Sequence, residues 1–346
     1  MDTLSLFITI AVLAYVGFMI YLANQEAVRP GSGIGLRWMH YGIISGMVFL
    51  SLNVVAIAFM GSAPAPDSET ALAVDPVVAL INMLIVGVVA VACGAAIVSP
   101  AARMVLRRLL SRDAAYNPDS PVHLTAFVLC LAYLGNNVTA FVLGGGLSGL
   151  AQSLEESGVA LDQTAFMGLL WVLAALLGVG LWLRRSPAQV AQRLGLRWPT
   201  REDVSIGLLV GSGMIVGSLV ISALWAGLSS PDVFAEQTAA AEQLASAINS
   251  LSLVLVVSLS ASVGEEIFFR GALQPVFGLV PTSLFFALAH PQYTLTPAAL
   301  WIVVVALVFG WLRRRYSTTA AIIAHFVYNA IPLLLGLFVA SRLGEF

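Results

Sequence analysis

Gly264-Glu265-Glu266-Ile267-Phe268-Phe269-Arg270-Gly271 closes an apolar stretch that begins at Leu251 and otherwise reads as a membrane-spanning helix. Charge in that setting is expensive. Each ionised side chain near the middle of a bilayer costs at least about 2.5–3.5 kcal/mol on insertion scales, so three together imply a network of partners and a function.

The rest of the chain carries the same membrane signature. Of 346 residues, 59% are hydrophobic and 10% charged, and the mean hydropathy is +0.94. A soluble domain has no use for that much apolar surface. Ten apolar stretches stand out, at 3–22, 38–60, 76–98, 122–144, 165–183, 204–228, 248–273, 281–290, 297–312 and 318–340. Most have the length that a hydrocarbon core of about 30 Å requires. The eighth is too short to cross alone. Pro281 opens it and Pro291 follows His290, which leaves about 15 Å of helix. The expected fold is an all-α, polytopic membrane helix bundle of about ten segments, one of them short or broken.

Orientation follows from the basic residues, all 16 of which are arginine. Fourteen gather in alternate loops: Arg29 and Arg37, then Arg103, Arg107, Arg108 and Arg112, then Arg184, Arg185, Arg193, Arg197 and Arg201, then Arg313 to Arg315; Arg270 lies in the charged motif, and Arg342 near the C-terminus is the exception. The intervening loops carry acids instead, among them Asp67, Glu69, Asp75, Glu155, Glu156, Asp162, Asp232, Glu236 and Glu242. Positive charge marks the cytoplasmic side, so both termini are expected outside. The net charge of −2 therefore sums two segregated populations and gives no footing for nucleic acid. Asp2 alone precedes the first apolar run, with no basic stretch, so the first span is expected to be retained rather than cleaved as a signal peptide.

The arginine-rich loop 184–203 suggests a division into a five-span N-terminal region, 1–183, and a core, 204–346. Cys93 and Cys130 fall inside spans, where a thiol acts as a small apolar group. His40 and His123 read as interfacial, and Asn136 and Asn137 as interhelical glue. Gly207, Gly211, Gly213 and Gly217 suit close helix packing. The acidic segment 235–247 reads as a short helix at the outer surface.

Three groups capable of chemistry lie on three helices at similar depth. Counting from the helix ends, Glu265, His290 and His325 each sit roughly 10–14 Å below the cytoplasmic boundary. Residues four apart share a face and adjacent residues are turned by about 100°. Glu266 and Arg270 thus face one way as an ion pair, which leaves Glu265 free on a neighbouring face. By the same spacing Phe286 lies behind His290, and Asn329 lies one turn from His325.

A carboxylate, two imidazoles and a carboxamide suit hydrolysis of an amide. The carboxylate takes a proton from water, and a histidine and an asparagine donate hydrogen bonds to the oxyanion. The second histidine orients the water or protonates the leaving amine.

Glu265-Glu266-xxx-Arg270, Phe286-xxx-His290 and His325-xxx-Asn329 resemble the three ordered motifs of the CPBP intramembrane proteases. That group includes type II CAAX prenyl endopeptidases and bacterial bacteriocin-processing and immunity proteins. The resemblance covers about 250–340. It implies that Glu265 activates water with His290, that His325 and Asn329 form the oxyanion hole, and that Glu266 and Arg270 support them. Phe286 is expected at the substrate.

Such proteins also have a metal-dependent reading, with Glu265, His290 and His325 as zinc ligands by type. The chain lacks a His-Glu-xx-His helix and Asn329 is a poor zinc ligand, so the metal-free reading is preferred, with no cofactor. The expected partner is a peptide or membrane-protein substrate, cut near the cytoplasmic side of a prokaryotic plasma membrane. A further membrane protein could dock on the N-terminal helices. A transporter would also use a broken helix and intramembrane Glu and His, and a silent relative would use the same bundle as a scaffold.

Overall fold

The computed structural model describes residues 3–31, 33–60, 74–110, 114–294 and 296–343. Asp67, Glu69 and Arg112, used above for orientation, lie outside the described residues. The protein is all-helical and polytopic. Among the described residues, nine helices are long and apolar enough to cross a membrane, and Leu279–Leu288 is a shorter apolar helix at the eighth stretch.

The chain divides into two compact units, Met1–Leu109 with Asn117–Gly146, and Leu110–Tyr116 with Leu147–Phe346. This differs from the division expected at 184–203. The fifth span packs with the C-terminal helices, and the arginine-rich loop lies inside the second unit.

The first unit contains α1 (Thr3–Val28), α2 (Gly33–Met60), α3 (Pro76–Val98), α4 (Pro100–Leu109) and α5 (Pro121–Leu143). Two starts are written in sequence. Asp75 and Ser120 cap α3 and α5 with their side chains, and each is followed by a proline whose fixed φ suits the first helical position. Cys93, Ile97 and Val128 form one buried cluster and Met19, Ala23 and Leu36 another. His40 is fully buried within the protein, and its Nε2 meets the Thr125 hydroxyl at 3.0 Å. A buried imidazole needs such a partner, and α5 supplies one. His123 does sit at a helix start, where its Nδ1 accepts from the Asn117 N–H. Asn136 is exposed, and neither its side chain nor that of Asn137 forms a hydrogen bond among the described residues.

The second unit runs through α6 (Gly146–Ser157), α7 (Leu161–Gly178), α8 (Pro187–Leu194), α9 (Arg201–Leu228), α10 (Pro231–Ser246) and α11 (Leu251–Leu259). A π-helix, Ser260–Leu273, continues α11. Then follow α12 (Gln274–Phe277), α13 (Leu279–Leu288), a 3-10 turn at Pro291–Tyr293, α14 (Pro297–Arg315) and α15 (Thr318–Leu343).

Two close approaches organise this unit. The first joins α9 to α15. A Cβ on Gly207 would stand 2.7 Å from Ile323 Cγ2, and one on Gly211 would stand 2.6 Å from the Ala324 carbonyl oxygen, whereas Gly213 faces open space. The second joins α7 to the π-helix, where a Cβ on Gly264 would stand 2.8 Å from the Gly168 carbonyl oxygen. Only glycine allows backbones so near.

A polar staple fixes the start of α9. Asp203 is fully buried and accepts from Arg197 Nε and Nη2, from the Thr200 N–H and hydroxyl, and from the Ser317 hydroxyl at 2.7 Å. Thr200 returns a bond to the Asp203 N–H, closing a capping box. The starts of α9 and α15 are thereby tied together. The acidic segment forms α10, and Gln237 on it accepts from Trp225 Nε1 at 3.1 Å.

Candidate active site

The first motif lies on the π-helix, not on the α-helix that its spacing suggested. Ser262 donates its hydroxyl to the Ser258 carbonyl at 2.6 Å, and such back-bonding loosens the α-helical ladder. π segments are rare, mostly single turns, and often occur at functional sites. A wider turn still keeps residues four apart on nearly one face, so Glu266 and Arg270 meet. Arg270 Nε lies 3.2 Å from Glu266 Oε2, and both side chains are almost wholly buried.

Glu266 also reaches the third motif. Its Oε1 accepts from His325 Nδ1 at 2.9 Å, so one carboxylate joins an arginine on its own helix to a histidine on α15. His325 was expected around one pocket with Glu265, His290 and Asn329, and the carboxylate it bonds is Glu266. The guanidinium of Arg270 lies 4.2 Å from the centre of the Phe286 ring and donates to the Ala306 carbonyl at 3.4 Å. In a desolvated setting a cation over an aromatic face contributes about 2 kcal/mol.

Glu265 faces elsewhere. It is 17% exposed and His290 19%, and His290 Nε2 stands 3.7 Å from Glu265 Oε2. His290 occupies a break in the helix because proline follows it: a residue before proline is pushed out of the α region, and here φ is −111° and ψ 80°. Its Nδ1 contacts the Phe286 carbonyl at 2.7 Å. A carbonyl only accepts, so that nitrogen carries the proton, and in the neutral ring Nε2 presents a lone pair to Glu265. The Oε2 atom of Glu265 is buried without a hydrogen-bond partner. Two acceptors therefore face each other across a gap too long for a direct hydrogen bond.

Phe286 is the hinge between the two pairs. It is 2% exposed, its ring lies 4.5 Å from that of His290, and its contact with His325 is edge-on at 6.1 Å. Phe269 packs on Phe286 and Phe285, and Trp171 of α7 packs on Phe268 and Phe269. The ring expected at the substrate is thus enclosed by the residues it separates. Asn329 lies one turn beyond His325, partly buried, and its carboxamide has no hydrogen-bond partner among the described residues.

Several residues at the site were not singled out from sequence. Gln274 donates to the Gly310 carbonyl at 2.8 Å, and Tyr293 stacks on His290 at 6.4 Å. A glutamine and a tyrosine close to charged motif residues were the only signals. Among the described residues no three His, Cys, Asp or Glu side chains gather as a metal-binding group. Glu265 stands beside His290, and His325 beside Glu266.

Fold and site together define a polytopic membrane protein with a buried acid–imidazole cluster assembled from three helical segments. The family model described as type II CAAX prenyl endopeptidase Rce1-like matches residues 247–331, about a quarter of the chain, in agreement with the CPBP resemblance. That segment carries all three motifs. No curated protein and no solved structure matched the chain. The match and the membrane-length helices support a multi-pass membrane peptidase.

Proposed function

We propose that the protein is an intramembrane endopeptidase in which Glu265 and His290 activate water. One observation carries the reading: Glu265 Oε2 is buried without a partner, 3.7 Å from His290 Nε2. A water placed against both atoms donates one hydrogen to each and keeps a lone pair for attack. Its oxygen bonds to the scissile carbonyl carbon while the carbonyl π electrons move onto oxygen. The released proton passes to Glu265 and from there, directly or through His290, to the amide nitrogen as the C–N bond breaks.

Oxyanion stabilisation falls to the Nε2 edge of His325 and to the Asn329 carboxamide. Each such donor contributes about 3–4 kcal/mol in protease examples. Glu266 and Arg270 hold His325 in place, and Phe286 spaces the two pairs. No metal enters these steps. The arginine pattern sets the cut toward the cytoplasmic side, in a peptide or membrane-protein substrate.

A labelled membrane-peptide assay on the reconstituted protein tests the reading. Wild type should release product and Glu265→Gln should not. Equal cleavage by both removes Glu265 as the base.

A further inference from the structure

Outside this site, four arginines of the second unit lie together without an acid. Arg184 and Arg185 follow α7, Arg193 ends α8 and Arg313 lies in the last turn of α14. Each is partly buried. Their hydrogen bonds go only to backbone carbonyls: Arg185 to Val179 at 2.5 Å, Arg193 to Gly271 at 2.9 Å and Ala272 at 3.4 Å, Arg313 to Arg193 at 3.5 Å. The Arg184 guanidinium makes none among the described residues, and the Nε atoms of Arg184 and Arg313 are buried and unpartnered. A guanidinium carries about five N–H donors, so most of this donor capacity is unused.

The grouping is built rather than incidental. Gly195, in the left-handed conformation at φ 68°, lies against the Arg313 guanidinium, where any Cβ would collide with it. Burial, and then the charges of Arg185, Arg313 and Arg184, pull the Arg193 guanidinium down to about 10. Like charges held this close need a shared counter-ion. Trp182 and Trp198, 80% and 92% exposed, flank the cluster in sequence as interfacial rings do.

We propose that Arg184, Arg185, Arg193 and Arg313 form a binding site for a phosphate group, supplied by the headgroup of an anionic phospholipid at the cytoplasmic face. Basic pockets at that face of membrane proteins suit such headgroups. Arg193 also holds the carbonyls at the end of the π-helix, so a bound headgroup touches the element that bears Glu265.

The test uses the full-length protein purified in detergent. Native mass spectrometry reads its retention of phosphatidylglycerol, phosphatidylcholine or inorganic phosphate at matched concentrations. Wild type should prefer phosphatidylglycerol to phosphatidylcholine by fivefold or more. Arg184→Gln gives up no internal hydrogen bond, and it should lower phosphatidylglycerol retention about fivefold. Arg201→Gln, an exposed arginine without these contacts, should leave it unchanged. Retention of inorganic phosphate that depends equally on Arg184 supports the site and assigns it a free anion. Equal retention of the two lipids, or phosphatidylglycerol retention unmoved by Arg184→Gln and by the Arg184→Gln/Arg313→Gln pair, overturns it.

Discussion

Glu266 Oε1 and His325 Nδ1 meet at 2.9 Å, although the two residues are 59 positions apart in the chain. With Arg270 on its other oxygen, the Glu266 carboxylate is fully buried between two cationic or proton-donating groups. The adjacent carboxylate, Glu265, keeps an oxygen free beside His290. Neighbours in sequence thus divide into one carboxylate held between two partners and one with an oxygen left unpartnered.

That division separates the two glutamines. Glu266→Gln leaves Arg270 buried without its counter-charge, and loss of one partner from a buried pair costs about 3–5 kcal/mol. A marked drop in melting temperature and in yield of folded protein is expected. Glu265→Gln should melt within a few degrees of wild type while cleavage falls by at least about a hundredfold, the lower range for general-base catalysis. Thermal unfolding beside a cleavage assay checks both.

Close packing of α7 on the π-helix gives a steric prediction. Gly264→Ala drives a methyl to 2.8 Å from the Gly168 carbonyl oxygen and should cost about 1–3 kcal/mol, with activity lost in step as the π-helix shifts. Gly213→Ala meets nothing within 4 Å and should leave the melting temperature unchanged or slightly higher.

The Asp203 staple should matter for stability without touching the reacting groups. Asp203→Asn removes charge from the acceptor of the Arg197, Thr200 and Ser317 bonds, and charge-assisted bonds contribute about 1.5–3 kcal/mol. The expected result is a lower melting temperature, with KM and kcat near wild type in the fraction that stays folded.

Metal dependence is settled by chelation. On the metal-free reading, cleavage should survive strong chelator. Loss of activity that zinc alone restores would contradict the proposed chemistry.

Much of the fold was legible because bilayer thickness dictates helix length. The long apolar stretches and the short one at 281–290 all reappear as helices. The π-helix was not legible, since Glu266 and Arg270 four residues apart meet under either winding. The pairing of Glu266 with His325 was hidden for a related reason: spacing fixes which residues share a face, not which helix that face meets. Membership of the fifth span was hidden too. The arginines of 184–203 punctuate the sequence strongly, but the contact that decides the packing is a glycine on each side, Gly168 and Gly264. The His40 contact was hidden because nearness to a predicted helix end says nothing of Thr125 on another helix.

The central claim is that Glu265, beside His290, makes this protein a peptidase. Its most direct test is N-terminal profiling of membranes from cells that make wild type or Glu265→Gln at matched levels. New peptide N-termini present with wild type and absent with the variant are the predicted result; identical sets from the two membranes would contradict it.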